Sequence, residues 1–242
     1  MSGDLGVPIA QGALRHVVFN ADDFGASTGI NRGVVEGHRS GVVTSASLMV
    51  TGRAVDEARG LAVENSSLAV GLHWDVWGED ERAFDLGDAD AVRREIRSQL
   101  DSFHSLMGRW PTHVDSHKHA HLDPRAFAIM TEEVADLGIP VRGDGRVTFV
   151  GGFYAQWEWQ KTELEHVSVD ALHQILAHET ADAWTEVSCH PGYASPDFTS
   201  VYFLEREAEL ATLCDPAVPG LLRGEGLILA SFADVPPRKH ED

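Results

Sequence analysis

Hydrophobic residues are arranged along the chain in two alternating patterns, short β-branched runs and longer runs with helical spacing. Residues 89–107 are the clearest helix, because Val92, Ile96 and Leu100 recur at intervals of four residues. Short apolar runs such as residues 17–19 are instead typical of buried strands. The alternation predicts βα units around a mainly parallel sheet.

This pattern predicts about seven strands with helices between them. The strands are expected at residues 16–20, 42–50, 68–73, 112–116, 140–142, 186–190 and 227–232. The helices are expected at residues 28–39, 54–63, 89–107, 125–137, 169–178 and 202–213. Residues 145–165 have no clean periodicity and receive no assignment. The fold class is therefore expected to be α/β, a (β/α)-barrel-like sheet with its site at the C-terminal strand ends.

The 242 residues are enough for one large domain, which we predict at residues 15–233. Residues 1–14 are expected to be a disordered lead-in and residues 234–242 a polar tail. No apolar run approaches the roughly 18 residues that a membrane-spanning helix needs, and no signal peptide is recognised, so a cytoplasmic location is expected. The two cysteines form no CxxC motif, which argues against a thiolate zinc site or a disulfide framework.

The formal net charge of −19 argues against nucleic acid as a partner, because phosphate binding requires clustered lysines and arginines. It also argues against a strongly anionic substrate. Histidine is the unusual component of the sequence. The chain has 13 histidines, and a single nine-residue segment contains His113, His117, His119 and His121. Imidazoles at this density are candidate ligands for a divalent metal.

Candidate polar residues share one end of the predicted sheet. A C-terminal strand end is predicted at or just before each of Asp22, Asp23, His73, His117 and His190. In parallel α/β folds the catalytic face is built at this end. Polar residues scattered through a core would not share it.

The first strand runs into the motif NADDFG at residues 20–25, which contains two adjacent aspartates. Neighbouring side chains on a strand point to opposite faces, but at a strand end, where Gly25 permits a turn, both can reach one site. One carboxylate could then bind a metal while the other takes a proton from water. Alternatively, Asp22 and Asp23 cap the following helix.

The segment PTHVDSHKHAH at residues 111–121 is the densest cluster of candidate ligands. Because side chains alternate along a strand, one surface would be lined by Asp115, His117, His119 and His121. The carboxylate could fix the tautomer of a ligating imidazole. If the strand ends near His117, the last two histidines belong to a loop over the site. An exposed polar edge strand is the alternative.

Three further groups of residues lie near the expected face. His190 precedes a Pro-Gly turn and could protonate a leaving group with a pKa near its ordinary value, or simply face solvent. Arg142 could pair with an aspartate and keep it ionised, or lie on the surface. Four tryptophans could stack on a sugar ring or serve only in packing: Trp74, Trp77, Trp157 and Trp159.

Together these motifs resemble the YdjC/ChbG family of carbohydrate deacetylases, which includes a branch associated with hopanoid biosynthesis. The resemblance rests on NADDFG (20–25), GVVTSAS (41–47), GLH (71–73), PTHVDSHKHAH (111–121) and HPGY (190–193). It spans residues 17–193 in the expected order. The combination is specific, although each piece alone is weak.

The resemblance implies a (β/α)-barrel-like fold and one divalent metal ion, Mg²⁺ or Zn²⁺, held by Asp23, His73 and His117. It implies Asp22 as the general base and an N-acetylated sugar as the substrate. Further residues are expected around the substrate or behind the ligands: Asp115, His119, His121, Arg142, Trp74 and Tyr193. The segment after His73 is shorter than in longer family members, which leaves the size of the sugar open. The oligomeric state is open too, a homo-oligomer included.

In the expected reaction the metal polarises the acetyl carbonyl and activates a water molecule. Asp22 takes a proton from that water, and His190 protonates the departing amine. A backbone N–H near Gly192 or Tyr193 would help to hold the oxyanion.

Two other functions stay open at this point. A metal-dependent phosphoesterase or amidohydrolase could use His117 and His119 as an HxH ligand pair, although that pair commonly lies on the first strand of such enzymes. A non-catalytic sugar- or metal-binding protein could share the scaffold, but it would need neither Asp22 as a base nor His190 as an acid. Hydrolysis of an N-acetyl sugar is therefore the expected function.

Overall fold

Seven parallel strands form the sheet in the computed structural model, which describes residues 14–78, 82–180 and 182–237. In chain order they are β1 (Arg15–Phe24), β2 (Ser45–Leu48), β3 (Ala69–Trp74), β4 (Val114–Ser116), β5 (Thr148–Val150), β6 (Trp184–Cys189) and β7 (Leu227–Ala230). Every pairing between them is parallel. The sheet curls into a half-barrel with flanking helices, which confirms the expected barrel-like α/β fold.

The sheet is built around β1, in the order β4-β3-β2-β1-β6-β5. β7 pairs with the first residues of β1, next to the place where β2 pairs with its last residues. Because all strands run in one direction, their C-terminal ends meet at one edge. The residues at the C-terminal ends of β1, β3, β4 and β6 are thereby brought together.

Seven α-helices follow or precede these strands in the described residues. They are α1 (Thr28–Ser40), α2 (Val55–Glu64), α3 (Ala89–Met107), α4 (Pro124–Glu133), α5 (Val169–His178), α6 (Leu204–Leu213) and α7 (Val218–Gly224). Side-chain caps begin several of them. Ser27 accepts the Ile30 N–H at the start of α1, so the alternative that Asp22 and Asp23 cap this helix is wrong. No described helix is long and apolar enough to cross a membrane.

The structure differs from the prediction mainly between α4 and α5. The predicted strand 140–142 is reduced to an isolated bridge between Val114 and Val141, because the chain turns away at Gly143, where φ is +89°. The fifth strand is instead β5, which pairs with β6. Its three residues lie in the stretch without periodicity and are too few to produce a pattern. The predicted helix 125–137 ends at Glu133 and continues only as a 3₁₀ turn, and α7 was not predicted.

The terminal predictions are largely untested. The expected disordered lead-in falls on residues 1–14, of which 1–13 lie outside the described residues. The expected polar tail begins at residue 234, and its residues 238–242 also lie outside them.

A close backbone contact holds α1 against the turn that carries His190. A Cβ added at Gly33 would lie 2.5 Å from the Gly192 Cα, which is closer than real Cβ contacts allow. Only glycine at position 33 therefore permits this approach between helix and turn.

We predict that Gly33→Ala destabilises the protein by about 1–3 kcal/mol, because the methyl group meets backbone rather than a side chain that can move. Gly60→Ala is the matched control: Gly60 lies at an exposed position of α2 and its Cβ meets nothing within 4 Å, so helix propensity should stabilise the protein by up to about 1 kcal/mol. Urea denaturation of both variants measures the difference. Equal stability changes in the two would show that the contact at Gly33 is not tight.

Candidate active site

A bulge at the end of β1 brings both aspartates to one site. The register between β1 and β2 passes from Ala21 opposite Ala46 to Phe24 opposite Leu48, so one extra residue is inserted on β1. Asp23 has a left-handed backbone with φ of +66°, which is rare for a residue other than glycine. The two adjacent side chains are therefore not forced to opposite faces of the sheet.

Asp23, His73 and His117 form a compact set of potential metal ligands. The Asp23 Oδ1 atom lies 3.2 Å from His73 Nε2 and 3.0 Å from His117 Nδ1. One donor atom from each residue lies within 4.8 Å of the others, and all three residues are buried. One carboxylate oxygen with two imidazole nitrogens is a donor set that borderline divalent cations accept. The residues therefore fit the metal that the family resemblance implies.

Asp115 on β4 lies behind His73 and fixes its orientation. Its Oδ1 atom is 2.7 Å from His73 Nδ1, which directs His73 Nε2 toward Asp23. Its Oδ2 atom accepts hydrogen bonds from Ser47 Oγ at 2.5 Å and Asn20 Nδ2 at 3.1 Å. Burial opposes charge on Asp115, but Arg142 and His73 together hold its pKa well below the usual range. Asp115 is thus an ionised carboxylate that supports a ligand.

Arg142 lies between three buried carboxylates at the centre of this network. It donates two hydrogen bonds to Asp22, from Nη1 to Oδ2 at 2.8 Å and from Nη2 to Oδ1 at 2.7 Å. The same Nη2 lies 2.8 Å from Asp115 Oδ2 and 2.6 Å from Glu186 Oε1. Burial raises the pKa of Glu186 to about 7 despite this contact. The guanidinium group therefore fixes the orientation of Asp22. Its positive charge also stabilises the ionised form of all three buried carboxylates.

His190, just beyond β6, lies on the other side of Asp22. Its Nε2 atom is 3.9 Å from Asp22 Oδ2, and it is packed against the rings of Tyr154 and Tyr202. Burial lowers the pKa of His190 to about 4, although Asp22 and Asp23 favour the charged form. The expectation of a near-ordinary pKa is therefore wrong, because the ring is shielded from solvent to an extent that its turn-like sequence does not reveal.

The histidine-rich segment does not continue as a strand. β4 ends at Ser116, and Lys118 and His119 both take left-handed backbone angles inside a 3₁₀ segment, so the expected alternation of Asp115 to His121 on one surface is wrong. His119 lines the site cavity and contacts the Phe149 ring edge-on. His121 points away from the cavity, with Nε2 3.1 Å from the Arg142 carbonyl oxygen and Nδ1 2.5 Å from Ser116 Oγ.

Two residues expected near the substrate lie elsewhere. Trp74 is 0% exposed and packs edge-on against Phe84, so it has no face for a sugar. The Tyr193 hydroxyl donates to Glu36, and its ring lines a separate surface pocket beside α1. The N–H groups of Gly192 and Tyr193 donate to backbone carbonyls of the fold, so they cannot serve as the expected oxyanion donors without breaking those bonds.

A cavity of about 780 Å³ opens over the site. Its floor contains Asp22, Asp23, His73, His117 and His190, and its walls include Tyr154, Tyr202, Trp157 and Trp159. Trp157 is 59% and Trp159 77% exposed, so their indole faces remain accessible to a ligand. Trp77, also considered from the sequence, does not line this cavity.

Two charged residues of α6 complete the site and were not identified from the sequence. Arg206 donates to Asp23 Oδ2 at 2.6 Å and thereby leaves Oδ1 to the histidines. Glu209 accepts the His190 backbone N–H at 2.5 Å. A signal existed in the predicted helix, since Arg206 and Glu209 share the helix face of Tyr202 and Leu213, where apolar residues would be expected.

The fold and the polar cluster define a parallel (β/α)-barrel-like protein with its candidate site at the C-terminal strand ends. The chain belongs to the YdjC-like protein family, whose model matches residues 16–224, and the resemblance noted in the sequence is confirmed. A protein of Vibrio parahaemolyticus named carbohydrate deacetylase is 32% identical over 90% of this chain and 95% of its own length.

Two solved structures support the fold. An Enterococcus faecalis protein to which cellobiose-phosphate cleavage has been ascribed superposes with a TM-score of 0.75 at 22% identity, over 90% of this chain and 98% of its own. A family 4 carbohydrate esterase from Streptomyces lividans, in complex with acetate, superposes with a TM-score of 0.57 at 13% identity, over 93% and 97% of the two chains.

We predict that Arg142→Met lowers the free energy of unfolding at pH 8 by about 3–5 kcal/mol, because it leaves buried carboxylates without their counter-ion. The deficit should be smaller at pH 5. In the folded protein the pKa of Glu186 is about 7, above its unfolded value, so protonation of Glu186 favours the folded state as pH falls from about 7 toward 4.5. Without Arg142, Asp22 and Asp115 should also take up protons in the folded state over this range.

Urea denaturation at the two pH values measures this effect. Arg97→Met is the control. The Arg97 side chain is exposed, and its partner Glu133 keeps a second ion pair with Arg93, so stability should change by less than about 1 kcal/mol. A pH-independent deficit in Arg142→Met would contradict the charge argument.

Proposed function

We propose that this protein is a metal-dependent carbohydrate deacetylase that hydrolyses the N-acetyl group of an amino sugar or a short N-acetylated oligosaccharide and releases acetate. One observation carries the proposal. The potential metal ligands Asp23, His73 and His117 share a cavity with a separate carboxylate and imidazole, Asp22 and His190, that are not part of the ligand set. Amide hydrolysis needs this combination of an electrophile, a base and an acid.

The substrate class is supported by two further features. The Vibrio relative is named a carbohydrate deacetylase. The walls of the cavity present aromatic rings, among which the exposed Trp157 and Trp159 offer flat apolar faces of the kind that pack on sugar rings. The cytoplasmic location remains a prediction from the sequence, and so does the extent of the catalytic domain.

Asp23, His73 and His117 would hold the metal. When bound, such an ion acts as a Lewis acid toward a carbonyl oxygen and lowers the pKa of water. Two imidazole nitrogens beside a single carboxylate favour Zn²⁺ over Mg²⁺, because Mg²⁺ prefers oxygen ligands. Arg206 holds Asp23 Oδ2, so Oδ1 is the oxygen directed at the imidazoles.

The residues of the chain divide the proton transfers between them. Asp22, oriented by two hydrogen bonds from Arg142, accepts a proton from the attacking water. The hydroxide adds to the acetyl carbon, and the bond from that carbon to nitrogen then breaks. His190 Nε2, on the far side of Asp22, gives a proton to the departing amine. The products are acetate and the free amino sugar.

We predict separate failures for ligand and base variants. His73→Ala, His117→Ala and Asp23→Asn should each lose bound metal, whereas Asp22→Asn should retain metal and lose about 10²–10⁴-fold in kcat. Metal analysis of the purified variants together with acetate release from N-acetylglucosamine and chitin oligomers provides the measurement. Full metal occupancy in both histidine variants, or metal loss in Asp22→Asn alone, would refute the assignment.

A second prediction isolates the acid. His190→Ala should lower kcat for the amide substrate by about 10²–10⁴-fold. Its loss on an activated acetyl ester should be far smaller, because that leaving group departs without a proton. Both substrates are compared on the metal-loaded variant. Equal losses would mean that His190 positions the substrate or the metal rather than supplying a proton, and the cavity-lining His119 would then be the next residue to test.

A further inference from the structure

His190 lies between two carboxyl groups, and only one of them belongs to the mechanism described so far. Its Nε2 atom faces Asp22 Oδ2 at 3.9 Å, and its Nδ1 atom faces Glu209 Oε1 at 3.8 Å. Glu209 is fully buried on α6. The His190 imidazole thus lies between Asp22 on the cavity floor and Glu209 in the core.

The Glu209 carboxyl group is held rigidly in this position. Its Oε2 atom accepts the His190 backbone N–H at 2.5 Å, and its Oε1 atom accepts the Tyr202 hydroxyl at 2.5 Å. The Tyr202 oxygen in turn accepts the Ala155 N–H at 2.9 Å. The hydrogen bond from the His190 backbone N–H to Oε2 would be enough if Glu209 only held the start of the turn in place. In addition, Oε1 lies 3.8 Å from His190 Nδ1, a buried ring nitrogen without a hydrogen-bond partner among the described residues.

The environment changes the protonation of both partners. Burial raises the pKa of Glu209 to about 8, against the hydrogen bonds from Tyr202 and His190 and the charge of Arg206. Burial lowers the pKa of His190 to about 4. The charged and titratable groups around the pair are Asp22 and Asp23 on β1, His119 after β4, Tyr154 and Tyr202 on the cavity wall, and Arg206 on α6. At neutral pH the pair therefore holds one proton, carried by the carboxyl group rather than by the imidazole.

Building on the proposed deacetylation, we propose that Glu209 is a positioning residue that supplies the acid step through His190. As the bond between the acetyl carbon and nitrogen breaks, the Nε2 proton of neutral His190 moves to the amine. In the same step the ring approaches Glu209 to hydrogen-bond distance, and the proton on Glu209 Oε1 moves to Nδ1. The imidazole thereby changes tautomer without becoming a cation, and Glu209 becomes a carboxylate. After the amine leaves, a solvent proton enters at Nε2 and the Nδ1 proton returns to Glu209.

This arrangement explains how a histidine that is neutral at pH 7 can act as an acid. If the reaction required His190 alone in its charged form, the enzyme would lose activity above about pH 4, where the imidazole is neutral. The coupled pair keeps its proton until Glu209 ionises near pH 8. The alkaline limb of the pH–rate profile is therefore assigned to Glu209.

The test compares Glu209→Gln with Glu205→Gln in the metal-loaded enzyme. Both changes remove a buried carboxyl group from α6, but Glu205 contacts Gln156 and Thr162 instead of His190. In Glu209→Gln, kcat for the N-acetyl substrate should fall by about 10²-fold or more with little change in KM, and the alkaline limb should move to lower pH by more than one unit. In the same variant, the rate of hydrolysis of an activated acetyl ester and the metal content should stay close to wild type. In Glu205→Gln, kcat, KM, the alkaline limb, ester hydrolysis and metal content should all stay close to wild type.

Tyr202→Phe provides a variant that keeps the carboxyl group and the ring. Losing the hydroxyl donor disfavours the Glu209 carboxylate, so the alkaline limb should move to higher pH, opposite to Glu209→Gln. An unchanged alkaline limb in both variants, or equal loss on amide and activated ester in Glu209→Gln, would overturn the proposal.

A second measurement is independent of turnover. The ¹⁵N shifts of the His190 ring should report a titration near pH 8 in the wild-type protein that is absent in Glu209→Gln. If no N-acetylated sugar is hydrolysed yet this titration is found, the proposed function fails while the coupling of the two residues stands. If turnover occurs and the titration is missing in the wild type, the coupling fails alone.

Discussion

The buried guanidinium group of Arg142 is the interaction on which the rest of the site depends. Carboxylates from three strands, Asp22, Asp115 and Glu186, lie close together without access to bulk water. Mutual repulsion and lost hydration would force most of them to bind protons if no cation were present. A single delocalised cation with several donors can contact all three. The chain places it directly after the isolated bridge between Val141 and β4, where its backbone N–H still donates to the Val114 carbonyl oxygen.

The bulge on β1 then gives the two neighbouring aspartates different contacts. Asp22 turns toward Arg142 and His190, whereas Asp23 turns toward His73, His117 and Arg206. Each aspartate thus has its own arginine, and they face different histidines: Asp22 faces one and Asp23 faces two. A regular strand would have placed one of the two on the opposite face of the sheet. The left-handed backbone of Asp23 is a local strain that this division explains.

Sequence patterns predicted the parts of the molecule that depend on local order. Helices α3 and α5 begin and end where their spacing indicated, and the strand ends that carry Asp22, His73 and His190 follow from their apolar runs. The strand β5 was not predicted, because three residues are too few to show an alternation of buried and exposed positions. The path after Ser116 was also missed, since it depends on two consecutive left-handed residues that no pattern indicates. Arg206 and Glu209 reach the site only through packing of α6, which is a long-range property.

The burial of individual side chains is the property that the sequence predicts least well. It changes the pKa values of the site residues as well as the shape of the site. An aromatic wall of Tyr154 and Tyr202 strengthens every electrostatic contact near His190, but it also removes the water that would stabilise an imidazolium ion. A site with such walls keeps the His190 imidazole neutral at pH 7. It needs a buried group that is protonated at neutral pH and faces the imidazole. Desolvation makes Glu209 such a group by the same effect that makes His190 a poor acid alone. The low basicity of His190 and the protonated carboxyl group of Glu209 are therefore two consequences of one physical effect, desolvation.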